Sequence, residues 1–130
     1  VASATLPTMD SSGWVAVRCI FRSRREDGEG EAVFEERLTL WQETDVDRAI
    51  ERAETEAEAY AAETTWPPDW VTEYLGTAQA YVLSDEPADG AEVFSLMRNS
   101  HLAPTAYLDH FFTTGQERTG HIDEAGAEAP

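Results

Sequence analysis

Arginine and aromatic side chains that alternate along two strand-like runs are the part of this chain best equipped for specific binding. In Trp14–Arg22 the even positions carry Trp14, Arg18, Ile20 and Arg22, and in Val33–Gln42 the odd positions carry Glu35, Arg37, Thr39 and Trp41. Tyr81 falls on a third such run, Glu73–Ser84. Rings interleaved with guanidinium groups are the composition of binding hot spots, because arginine stacks on a ring or pairs with a carboxylate while the rings exclude water. Trp14, Arg18, Ile20, Arg37, Trp41 and Tyr81 are therefore the expected interface or ligand face, and a second copy of the chain is the expected partner. A small-molecule enzyme or ligand-binding protein working on that same face is the alternative.

A second candidate is the stripe Asp47, Glu51, Glu54 and Glu58, which recurs at helical spacing on one side of a long helical segment. It could dock a basic protein or imitate the phosphate rows of a duplex, against the plainer reading of a solvated face. Cys19, the one cysteine, lies on an apolar strand face, where a thiol behaves as a small hydrophobe and keeps a high pKa. His101, His110 and His121 are not spaced to put two ligands on one helix face, and Asp85–Gly90 lacks the full pattern of a calcium loop, so no metal or cofactor is expected. No nucleophile elbow and no phosphate-cradling glycine loop occurs. Glu36, between Phe34 and Leu38 on the expected helix-facing side, is the one carboxyl that burial could raise toward general-acid use.

Composition narrows the classes further. The chain has 130 residues, 26 acidic against nine basic, and a net charge of −17. All nine basic residues are arginine, a usage that fits a GC-rich bacterial genome. Such a charge opposes direct contact with a nucleic-acid backbone or an anionic membrane surface. No run approaches the ~20 apolar residues of a membrane span, and Val1–Gly13 does not read as a secretory signal. A single cysteine fits a reducing cytoplasm.

Positioning these residues falls to one helix and four strands. Thr44–Glu63 carries Val46, Ala49, Ile50, Ala53, Ala57, Tyr60 and Ala61 as an apolar stripe, and its alanines require close packing on whatever it covers. Trp14–Arg22, apolar on both faces, predicts a central strand, and Val33–Gln42, with Phe34, Leu38 and Leu40 on one face, predicts a strand nearer an edge. Glu73–Ser84 predicts a third strand, Asp85–Gly90 a turn and Ala91–Met97 a short fourth strand. A second helix is expected at about Thr105–Phe112, burying Leu108 with Phe111 or Phe112. The expected fold is α+β: a four-stranded antiparallel sheet, β-β-α-β-β-α in order 2-1-3-4, with the long helix on one face. Residues 1–13 are expected to form a flexible arm, 14–112 a single domain and 113–130 an acidic, flexible tail.

Trp14–Arg22, Phe34-Glu35-Glu36-Arg37, Ala49–Tyr60, Glu73–Ser84 and Gly90–Ser95, in this order, resemble a bacterial domain-of-unknown-function family, number four-two-eight-eight. The resemblance covers about Trp14–Phe112. It implies a bacterial setting and carries no activity, cofactor or catalytic residue.

Overall fold

The computed structural model describes the backbone of residues 2–6 and the whole of residues 11–63 and 68–119. The chain divides into two compact units, one of Val1–Thr65 with Asp69–Ser95, the other mainly Leu96–Pro130.

The first unit is built on three antiparallel strands: β2 (Trp14–Arg25), β3 (Val33–Gln42) and β4 (Trp70–Val82), with β2 in the middle. β1 (Ala2–Leu6) lies along the far side of β4, parallel to it, so the sheet order is β1-β4-β2-β3. The expected four-stranded antiparallel arrangement is thus corrected. No strand forms at Ala91–Met97, and the position beside the third antiparallel strand belongs to a parallel segment of the N-terminal arm. β2 and β4 also run longer than their apolar patterns, because Arg24 and Arg25 pair with Val71 and Trp70 beyond the end of β3.

Helix α1 (Val46–Glu63) connects β3 to β4 and passes over β2, a split β-α-β unit. Asp45 starts it: its carbonyl accepts from Ala49 N–H at 3.0 Å and its carboxylate from Asp47 N–H at 3.0 Å. Ala49, Ala53, Ala57 and Ala61 form a ridge that is at most 7% exposed, which brings the helix axis close to the sheet. Beneath it lie Val15, Val17, Cys19 and Phe21 of β2 with Ala78, Ala80 and Val82 of β4. Burying Phe21, Val15 and Val17 contributes about 1.5–3 kcal/mol each.

One irregularity keeps this core continuous. Between Cys19 and Phe21, β2 faces the β4 stretch from Ala78 to Tyr74, so two residues of β4 are extra. Gly76 lies in the bulge with φ +76°, a conformation that suits glycine. An even number of extra residues leaves the parity intact, so Tyr74 still faces the helix and packs on Phe21 with centroids 5.6 Å apart.

In the second unit, α2 (Pro104–Tyr107) continues as a π-helical turn over Leu108–Phe112. Arg98 holds this turn, its guanidinium 4.5 Å from the Phe111 ring and its Nη1 donating to Tyr107 Oη at 3.2 Å. None of its residues is buried; Leu108 and Phe112 are 47% and 71% exposed, against the expectation that they form a small core. Trp66, Pro67 and the end of the tail, including His121, lie outside the described residues.

Candidate functional site

β3 pairs with β2 in a register that sets Trp41 opposite Val15, Thr39 opposite Val17, Arg37 opposite Cys19 and Glu35 opposite Phe21. Residues directly opposite share a face. Glu35, Arg37 and Trp41 therefore lie on the helix side of the sheet, and the expected grouping of Arg37 and Trp41 with Trp14, Arg18 and Ile20 is corrected.

There they fasten the helix to the edge strand. Arg52 of α1 sits over the Trp41 ring at 4.9 Å and donates to Gln42 O at 3.1 Å and Glu43 Oε2 at 3.0 Å. One turn on, Glu56 accepts from Arg37 Nη1 at 2.7 Å, which raises the Arg37 pKa further. Arg37 also lies 3.9 Å from the Tyr60 ring centroid, and Tyr60 donates to Glu35 Oε1 at 2.7 Å. Burial, then the Glu35 carboxylate, push the Tyr60 phenol up to about 12. Arg52, Glu56 and Tyr60 recur at four-residue spacing on the helix flank, complementary to Trp41, Arg37 and Glu35. That match was legible in the sequence and outranks the apolar alternation of Phe34, Leu38 and Leu40.

The opposite, outer face gathers Trp14, Arg18, Ile20 and Arg22 of β2, Tyr81 and Gln79 of β4, and Phe34, Glu36, Leu38 and Leu40 of β3. Arg18 is its hub: it donates to Glu36 Oε1 at 3.3 Å and to Gln79 Oε1, and its guanidinium lies 5.1 Å from the Phe94 ring centroid. Tyr81 donates to Glu92 and its ring lies 5.8 Å from that of Phe94. The stretch expected as a fourth strand thus supplies two side chains that cover the β4 half of this face. Ala16 and Leu83, fully buried yet outside the helix-side core, fit such a cover. The β3 half stays open, with Phe34 60%, Leu38 46% and Leu40 41% exposed.

No family model matches the chain, and no curated protein or solved structure matches it either. What the site does must therefore be read from its own geometry.

The remaining candidates fare unequally. Glu54 leaves the acidic stripe by accepting from Tyr74 Oη, which, after burial, raises the Tyr74 pKa; Asp47, Glu51 and Glu58 are exposed. Glu36 is exposed and paired with Arg18 on the outer face, away from the apolar burial expected of it. Cys19 is buried, and burial pushes its thiol up. Among the described residues no three His, Cys, Asp or Glu side chains gather to hold a metal ion, and no helix is long and apolar enough to cross a membrane. A shallow, open depression beside Trp41, Arg52, Thr55 and Glu56 lies on the helix flank and does not include Arg18.

Proposed function

We propose that the chain is an interaction protein that binds a second copy of itself through the β3 half of the outer sheet face. The observation that carries this reading is Phe34, Leu38 and Leu40, three large apolar side chains on one face of one strand, interrupted by Glu36, each more than two-fifths exposed. Apolar groups in that concentration mark interaction surfaces on soluble domains. Their neighbours Trp14 and Ile20 are half-buried and extend the patch across β2. A net charge of −17 keeps copies apart at long range, so the contact must be short-range, apolar and hydrogen-bonded.

The alternatives have less support. A ligand or substrate site built on Arg18 with Arg37 loses its residue set, since the two arginines lie on opposite faces of the sheet. Docking of a basic partner loses Glu54 to Tyr74, and no second observation favours it. The resemblance to a bacterial family would place this interaction in a bacterium, and the single cysteine fits its reducing cytoplasm.

Light scattering on a concentration series tests the reading. The wild-type chain should rise in mass toward a dimer, and Phe34→Ser with Leu38→Ser should hold it at monomer mass with the fold intact by circular dichroism. Surface changes of this kind cost about 0.5 kcal/mol or less. Trp41→Ala, on the helix side of the sheet, should still dimerise. A wild-type mass that stays monomeric throughout would overturn the proposal.

A further inference from the structure

Among the described residues β3 ends the sheet, and nothing there pairs with its outer edge. Glu43 N–H donates to Gly13 O at 2.8 Å, and the register repeats that pairing along the strand at odd-numbered residues of β3. The N–H and C=O groups of even-numbered residues then point away from β2, because the two sets alternate in an antiparallel pair. Of these, the Gln42 carbonyl is closed off by Arg52 Nη1 at 3.1 Å. Phe34, Glu36, Leu38 and Leu40 remain, on a ten-residue strand with no proline, no lysine and no bulge toward β2. Those are the usual means by which proteins blunt an edge. Glu35, Glu36 and Arg37 are charged, but of mixed sign, so they select a partner strand as readily as they repel one.

We infer that two copies join edge to edge, β3 against β3 of the second copy, antiparallel and with the two-fold axis at Glu36. The inference rests on the proposal above that the partner is a second copy, and it specifies how the copies meet. In this register Glu35 of each copy stands opposite Arg37 of the other, in the non-hydrogen-bonded positions where side chains come closest. Phe34 stands opposite Leu38 of the second copy, joining the two apolar rows into one. Glu36 meets its own copy on the axis, and each of these carboxylates has Arg18 at 3.3 Å to offset the repulsion. The neighbouring registers are worse. An axis at Arg37 sets two arginines face to face, and an axis at Leu38 sets Glu36 against Leu40 and draws on Gln42, whose carbonyl is already taken. An axis at Glu35 sets two glutamates face to face on the helix side and Phe34 against Glu36 on the outer face.

Disulfide capture reads the register. Glu35→Cys and Arg37→Cys variants are mixed under mild oxidation, with Cys19 buried and out of reach. The predicted product is a mixed dimer linked from position 35 to position 37, since opposed Cα atoms about 4.5 Å apart are within disulfide range. Neither variant alone should crosslink, because like positions are then displaced by two residues. A second arm uses Glu36→Pro, which removes an outward N–H and leaves the ladder to β2 intact; it should be monomeric by light scattering. Two results overturn the edge pairing while sparing the second-copy proposal: a wild-type dimer that gives no mixed disulfide, or a Glu36→Pro chain that dimerises as well as wild type. A wild-type chain that is monomeric at every concentration removes both.

Discussion

The two sides of β3 carry similar residue types and have opposite fates. On the helix side Glu35, Arg37 and Trp41 are each engaged by a group one helical turn apart on α1: Tyr60, Glu56 and Arg52. On the outer side Glu36 finds Arg18, but Phe34, Leu38 and Leu40 have no such cover. An arginine beside a ring is therefore no sign of a binding site by itself. The Arg37 guanidinium already has a carboxylate and an aromatic face within its own fold, so what it adds toward a partner strand is its charge and not an open stacking surface. The unused capacity lies in the plain aliphatic and aromatic side chains of the other side.

The comparison breaks most severely if the helix side is emptied. Phe21, 1% exposed and 5.0 Å from the Tyr60 ring, anchors both the ridge of alanines and the tyrosines above it. Phe21→Ala should lower the unfolding free energy by about 3–5 kcal/mol in denaturant titration. A loss below about 1 kcal/mol would mean that α1 is not held by this core.

A smaller effect sharpens the same contrast through pH. The Tyr60 phenol is held protonated, with its pKa up from 10.0 to about 12 by burial and by Glu35. A pKa raised in the folded state contributes stability that is complete below the unfolded value, near 10, and is lost as pH rises through about 12. Tyr74, raised by burial and by Glu54, adds to the same alkaline decline. Unfolding curves across that window should therefore lose stability as pH rises, and Tyr60→Phe should flatten part of the slope. An unchanged slope would separate Tyr60 from the contacts with Glu35 and Arg37 that fasten the helix to β3.

Much of the antiparallel core was legible in the sequence. Val15, Val17, Cys19 and Phe21 leave one face of β2 wholly apolar, and the alanines of α1 allow it to lie on that face. The parity of β3 was not legible from alternation alone, because Phe34, Leu38 and Leu40 have the pattern of a core face and lie outward. Only the complementary sequence of partners on α1 distinguishes the two orientations. Ala91–Ser95 also alternates like a strand, yet Glu92 and Phe94 lie across Tyr81 and Arg18 without strand pairing. Ala2–Leu6 has small and polar residues that give no periodic signal, and its pairing to β4 is made by the backbone. Trp14, Arg18, Ile20 and Tyr81 mark the outer face in the sequence, while Phe34, Leu38 and Leu40, which leave it open, carry the pattern of a core face.

The most direct measurement is amide hydrogen exchange along β3 at low and high protein concentration. Glu35, Arg37 and Thr39 bond to β2, so their amides should be protected in both samples. Phe34, Glu36 and Leu38 point to the free edge, and their amides should exchange quickly when the chain is dilute and become protected at concentrations where the mass doubles. Fast exchange at Phe34, Glu36 and Leu38 in a sample that light scattering shows to be dimeric would contradict an edge that a second copy completes.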